Sequence, residues 1–533
     1  MKSFVASVAA LATLSAAFSC APDQASAQSN TVIIQRTNDS QTYDIHRILH
    51  RAAAEALFML SDSLVAIEDD LKTIRPLLAK SWTISPDGKT YQFILREDVT
   101  FCDGKPMTAA DVEATFTRWM APATRSSTVI NIGPVTSVKA TGKYEVEFKL
   151  SAPFSELLMQ LSQPYAGIID MDTVNKLGDS FGLRGFNGTG PFCWESWRPA
   201  SELVLTRHPT YHWGPSFYDN KGPALAERVI WRVVPEENAG IASILSGTTH
   251  VTYVFPWSGV KQARANKNIG IVQPRAFAWT GFAGMRVGRP LMSDIRVRRA
   301  MIMAVDQAAI AEAFYYGEAD PAHFSATPNT PDYDKSIEPK LLRYDPAAAN
   351  KLLDEAGWTK QSDGFRYKDS KKLSPVLVAQ DNTVWRERLE AVQGMLREVG
   401  IDLQLQLWEP AVIFSKVSRE DIDMWTLFAS YASVGDMLSK YFPAKQNYSA
   451  FKGAPDQAEP LVKLIEAGRT ALTNEERFKY FSQAQHMLVD MALWIPLAHE
   501  RQLVVFNKTK VTGVKPHSIS AVGLYKALDL KPL

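Results

Sequence analysis

Three cysteines and nine histidines in 533 residues leave little material for thiol or metal chemistry. No C-x-x-C pair and no linear Cys/His cluster occurs, so a zinc site is unsupported. After the first twenty residues no apolar run approaches the roughly 18 to 20 residues that span a bilayer. An excess of one charge is also lacking. The 58 Lys and Arg residues balance 57 Asp and Glu residues to a net charge of +1, which argues against nucleic acid as a partner. Enzyme signatures fail in turn. Gly88-Lys89-Thr90 ends like a phosphate loop, but Thr83 stands where the first glycine belongs. His499-Glu500 lacks the second histidine of a zinc protease, and no G-x-S-x-G elbow occurs. A triad assembled from distant residues leaves no linear trace. The expectation is a protein that is not an enzyme and takes no cofactor and no metal.

What is present describes a folded chain: 46% hydrophobic and 22% charged residues, at a length that exceeds one core and implies two or more domains. Lys2, the apolar stretch from Val5 to Phe18, and Ala25-Ser26-Ala27 form a secretory signal with cleavage expected after Ala27. Cys20 raises a lipid anchor as the lesser alternative, because Ala17-Phe18-Ser19 places a bulky residue at a small-residue site. Cleavage leaves Cys102 and Cys193, 91 positions apart. Export permits a disulfide, and two free thiols fit as well.

Mixed α and β signals follow. Thr31 to Gln35 is a β-type run. Trp82 to Leu95 reads as a hairpin around Asp87-Gly88, and Gly142-Lys143 punctuates a second one ending in Val146, Phe148 and Leu150. Thr108 with Asp111 makes a capping box for a helix bearing Val112, Phe116 and Trp119 on one face. Asp294, Asp306 and Asp345-Pro346 mark further helix starts, and Gly357 and Gly400 mark helix ends. Arg386 to Val399 is a helix, and Ile401 to Leu407 alternates as a strand with one wet face. Gly188-Thr189-Gly190-Pro191 bends the chain before Phe192, Trp194 and Trp197.

The block from Leu77 to Val112, L-L-A-K-S-W-T-I-S-P-D-G-K-T-Y-Q-F-I-L-R-E-D-V-T-F-C-D-G-K-P-M-T-A-A-D-V, resembles the signature of the family 5 extracellular solute-binding proteins of ABC importers. Later blocks follow in the family's order: G-T-G-P-F from Gly188, S-D-I-R-V-R-R-A from Ser293, A-V-D from Ala304, and Y-D-P-A-A-A-N-K-L-L-D-E-A-G-W from Tyr344. The resemblance covers almost the whole mature chain. It implies an α/β, two-lobed periplasmic binding protein fold, type II-like with an extra domain, in which mixed sheets are flanked by helices. Domain I would combine 28–60, 185–262 and 480–533, domain II would be the signature-bearing 61–184, and domain III would be 263–479. Hinge closure would trap solute between the lobes.

Most of the signature reads as scaffold: Asp103 and Gly104 shape a loop, and Trp82, Trp119 and Trp358 pack. The family usually has histidine at the place of Cys102, and that departure is the hint for pairing it with Cys193. Dipeptide binders of the family hold the peptide ammonium with an aspartate and its carboxylate with an arginine. Here the first position falls near Ala432 or Ser433 and the second near Ala379 or Gln380. Both charged anchors are therefore expected to be absent, and neutral amides, hydroxyls and aromatic faces to do the binding. The candidate cleft residues are Gln380, Asp381, Asn382, Trp385, Trp408, Phe428, Ser430 and Tyr431. The function implied is that of a monomeric, periplasmic solute-binding subunit delivering a peptide-class or related solute to membrane permeases. A non-peptide solute such as an oligosaccharide or opine-like conjugate is the alternative ligand. A periplasmic chaperone, a sensor or a secreted hydrolase are the alternatives from other classes.

Overall fold

Two large mixed sheets, each assembled from distant parts of the chain, define the architecture. The computed structural model describes residues 30–47, 51–275, 279–419, 421–519 and 522–533. The expected leader at 1–27, with Cys20, lies outside the described residues. In the first sheet the strand order is Ile269–Val272, Val504–Asn507, Val251–Thr252, Thr31–Arg36, Arg228–Val233, Glu202–Arg207 and Phe192–Arg198. Thr31–Arg36 lies at its centre, parallel to both neighbours. Val32 and Ile34 are fully buried there, as a continuous β-branched run in a parallel setting requires.

The second sheet runs Ala319–Pro321, Trp494–Glu500, Trp279–Met285, Met424–Ala429, Val376–Gln380 and Gln404–Trp408. Its last three strands are mutually parallel. A four-stranded antiparallel sheet of Ala79–Ile84, Thr90–Leu95, Glu145–Leu150 and Val135–Gly142 carries the signature block. The helix Ala109–Met120 covers it, closed at its start by the reciprocal Thr108–Asp111 capping box. One core joins the first sheet to this smaller one. Two further cores sandwich the second sheet between its helices.

Strand pairing crosses two of the expected domain borders. Ile269–Val272, placed beyond 262, hydrogen-bonds to Val504–Asn507 in the first sheet. Trp494–Glu500, placed with domain I, pairs with Trp279–Met285 in the second. The preceding helix Asn474–Met491 also buries Phe481, Ala484 and Leu488 in a second-lobe core. Hydrophobic runs reveal that a strand exists but not which sheet receives it. Cys102 and Cys193 are disulfide-bonded, with Cα atoms 5.7 Å apart. No described helix is long and apolar enough to cross a membrane.

The signature-bearing domain touches the second lobe directly. Ser155 N donates to Arg469 O at 2.8 Å, and Ser155 Oγ to Gly468 O at 3.1 Å. Next to it, buried Glu156 accepts from Ser433 Oγ, the N-cap of the helix Val434–Tyr441. Gly435 makes this approach feasible. A Cβ there would lie 2.5 Å from the Phe481 ring and 2.7 Å from Glu156 Oε1. Gly435→Ala is expected to cost about 1–3 kcal/mol through overpacking. Thermal unfolding checks this, and an unchanged midpoint would count against the tight fit.

Candidate functional site

The C-terminal ends of parallel strands leave a crevice in open α/β sheets, because the chain departs there to opposite sides. In the second sheet these ends are Gln380, Trp408 and Ala429. Gln380 stands opposite Trp408, and Asp381 N donates to Trp408 O at 2.7 Å. Trp279 and Glu500, paired with each other, lie at the same edge, since Thr280 pairs with Ala429. The backbone passes between sheets at this edge, after Val272 and again after Glu500.

Arg51 approaches the edge from the first lobe. It begins the helix Arg51–Leu60, donates from Nη2 to Tyr253 O at 3.2 Å, and lies 3.5 Å from Glu55. Its guanidinium carbon sits 4.9 Å from the Tyr253 ring centre and 6.0 Å from that of Trp279 in the second lobe. On the other side Arg388, almost fully buried, lies 4.2 Å over Tyr315, 5.3 Å from Phe428 and 3.6 Å from Glu500. Burial raises the Glu500 carboxyl, against the opposing pull of Arg388, a Tyr315 hydrogen bond and Arg51. Burial likewise pushes Glu55 up to about 7 despite Arg51. Charges of alternating sign, walled by aromatic rings, therefore run from one lobe to the other.

All three predicted segments meet at this edge, but their side chains differ in role. Asn382 caps the helix Thr383–Glu398 by accepting from Trp385 N at 2.8 Å. Asp381 pairs with Arg386 at 2.7 Å. Trp385 is buried against Phe428, with ring centres 4.4 Å apart, and Phe428 lies over Gly281. Ser430 and Gln380 are half-buried at the strand ends. Trp408 Nε1 and Tyr431 Oη are buried and meet no hydrogen-bond partner among the described residues. An unsatisfied buried donor costs about 1–3 kcal/mol, which an incoming acceptor relieves.

Of the residues expected near the family's charged anchors, Ala379 and Gln380 end the strand Val376–Gln380, and Ala432-Ser433 leads into a helix that Ser433 caps. The charges missed in the sequence are Arg51 and Glu55 on the helix Arg51–Leu60, Glu500 at the end of the strand Trp494–Glu500, and Arg388 on the same helix as Trp385. The available signal was their position: Glu500 ends an apolar strand, and Arg388 lies on the apolar face of its helix.

Residues 73–450 match the model of the bacterial extracellular solute-binding proteins, family 5, middle region. The glutathione-binding protein GsiB of Salmonella paratyphi A is 25% identical over 514 residues, which cover 94% of this chain and 95% of that protein. Among solved structures, NikA from Brucella suis in complex with Fe(III)-EDTA superposes with a TM-score of 0.81 at 24% identity, covering 94% of this chain and all of that one (100%). The oligopeptide-binding protein AppA from Bacillus subtilis in complex with a nonapeptide gives a TM-score of 0.78 at 21% identity, with coverages of 94% and 99%. The two-lobed α/β architecture is thus shared, and the chain belongs to the family 5 bacterial extracellular solute-binding proteins.

Proposed function

We propose that this chain is the periplasmic solute-binding subunit of an ABC importer, and that it takes a peptide-class solute in the crevice between the two sheets. The observation that carries this reading is that Arg51, Arg388 and Glu500 meet aromatic rings of both lobes at the sheet edge where the strands leading to Trp408 and Tyr431 end, and each of these two holds a buried, unsatisfied donor. Donors and charges of both signs suit the carboxylates and ammonium of a short peptide. The name of the relative GsiB makes glutathione the first solute to test. Residues 28–60, 185–272 and 501–533 would form the first lobe with the inserted domain 61–184, and 279–500 the second. Solute contacting both lobes favours their closure, and the closed shape is what membrane permease subunits would read. A saccharide or opine-like conjugate is the second reading, favoured by the uncharged Ala379, Ala432 and Ser433.

Protein stripped of endogenous solute is expected to gain about 2.7 kcal/mol of stability from a true ligand at a hundredfold excess over Kd. Thermal-shift measurements with reduced glutathione, di- and tripeptides, and disaccharides separate the readings. Trp408→Ala and Tyr431→Ala are expected to lose the shift while keeping the unliganded midpoint within a few degrees. If no panel member stabilises the protein and native mass spectrometry of unstripped protein shows no bound solute, the reading fails. Unchanged affinity in both variants moves the site elsewhere.

A further inference from the structure

Away from the crevice, folding brings together a group that linear spacing hid. The Sγ atoms of Cys102 and Cys193 and one ring nitrogen of His208 lie within 4.8 Å of one another. Each ligand is also held by bonds other than the disulfide. Cys102 N donates to Gly188 O at 3.2 Å, Cys193 pairs with Thr206 in the first sheet, and His208 N donates to Pro191 O at 2.9 Å. Breaking the sulfur–sulfur bond would therefore leave the three side chains as neighbours. Tetrahedral zinc with two thiolates at about 2.3 Å places the sulfurs about 3.8 Å apart. That is only about 2 Å beyond a disulfide bond, within reach of small side-chain rotations.

His208 is prepared for ligation. Its Nδ1 lies 3.0 Å from Gly190 O; with the proton there, Nε2 presents its lone pair beside the hydroxyls of Thr100 at 3.4 Å and Thr210 at 3.3 Å. A backbone carbonyl holding the second ring nitrogen is the usual support of a metal-bound histidine. Both cysteines are half-buried, which leaves the pair open to a reductant and to an ion.

We propose that Cys102, Cys193 and His208 form a redox-gated site for a thiophilic d10 ion such as Zn2+, closed as the disulfide and opened by a dithiol reductant. In opening, the reductant gives two electrons and two protons. The protein disulfide becomes two thiols, and the reductant becomes a disulfide. Binding then expels the two thiol protons and forms two metal–sulfur bonds and one metal–nitrogen bond, with water in the fourth place.

The test uses the full chain, reduced anaerobically with a phosphine, freed of it, and titrated with Cd2+ while thiolate-to-metal charge-transfer absorbance is followed. One equivalent is expected in the reduced protein and none in the oxidised protein. Cys102→Ser should abolish the absorbance. His208→Ala and His208→Gln should keep both thiols but weaken affinity at least tenfold, the usual effect of losing one ligand's support. Circular dichroism confirms that the variants are folded. On the unaltered chain, one equivalent of Zn2+ should slow thiol alkylation at least tenfold. Failure of the reduced protein to take up cadmium, equal affinity in folded His208 variants, or unprotected thiols would each overturn the site.

Discussion

Glu156→Gln is expected to remove about 3 kcal/mol of pH-dependent stability that the native protein loses between pH 4.5 and 8. Glu156 is buried in the contact between the signature-bearing domain and the second lobe, and burial raises its carboxyl from 4.5 to about 7. The hydrogen bond from Ser433 and the charge of Arg469 oppose this rise, while Asp436 and Asp332 add to it. Asp436, itself buried, pairs with Lys440 at 2.7 Å. The folded state holds its proton more tightly than the unfolded chain. The contribution is therefore fully present below the unfolded value of 4.5 and is lost as pH rises through about 7. At about 1.4 kcal/mol per unit, that interval is worth about 3 kcal/mol. Glutamine keeps the acceptor for Ser433 and carries no charge at any pH. Urea unfolding of both proteins at pH 4.5, 6 and 8 gives a difference that should grow with pH. Glu55, also raised to about 7, titrates equally in both and cancels. Parallel curves would remove Glu156 as the titrating group. Because the contact joins the lobes, the unliganded native protein should also open at pH 8, seen as a larger radius of gyration in solution scattering, and the glutamine variant should stay as it is at pH 5.

The elements legible in the sequence are those whose cause is local. Asp294, Asp306 and Asp345 each accept from a backbone N–H in the first turn of their helices, and Pro346 occupies the first helical position. Gly357 and Gly400 take φ values of +82° and +87°, as helix-ending residues do. The strand expected from Ile401 begins only at Gln404, because Ile401 and Leu403 are buried in the second-lobe core before the chain enters the ladder. Long-range partnerships are where sequence pattern fails. Asn382 looked like a ligand-facing amide and is a helix cap, a role its place before a helix could have signalled. Glu156 and Ser433 meet across 277 positions, and Arg51 reaches Trp279 across the lobe boundary. No periodicity encodes such pairs, since each half satisfies its own local pattern. The candidate segments lie at strand ends, where apolar runs stop in the sequence; Arg51, Glu55 and Glu500, at the same edge, come from distant parts of the chain that no local pattern links to them.

Lys526→Met is expected to destabilise the first lobe by about 3–5 kcal/mol, because it leaves Asp62 charged and buried without its partner. The pair is almost completely sealed, with side-chain exposures of 1% for Lys526 and 0% for Asp62 and a separation of 2.5 Å. Lys526 Nζ also donates to Phe58 O at 2.6 Å and Ser61 O at 2.9 Å. These carbonyls lie at the C-terminal end of the helix Arg51–Leu60, where a cation is favoured and intrahelical donors have run out. Asp62 takes a second bond from Trp213 Nε1 at 2.9 Å. One ammonium thus fastens the C-terminal segment to the turn at which the chain enters the signature-bearing domain. It also fixes the helix that presents Arg51 and Glu55 to the crevice, so solute affinity should fall with stability. Desolvation lowers the Lys526 pKa, and the charge and hydrogen bond of Asp62 oppose that shift. Adding Asp62→Asn to Lys526→Met removes the stranded charge and should recover more than half of the loss. Chemical denaturation followed by circular dichroism and tryptophan fluorescence reads the transition. A loss below 1 kcal/mol in the single variant, or no recovery in the double, would show that the clamp is dispensable and that packing of Tyr525 and Leu528 alone retains the segment.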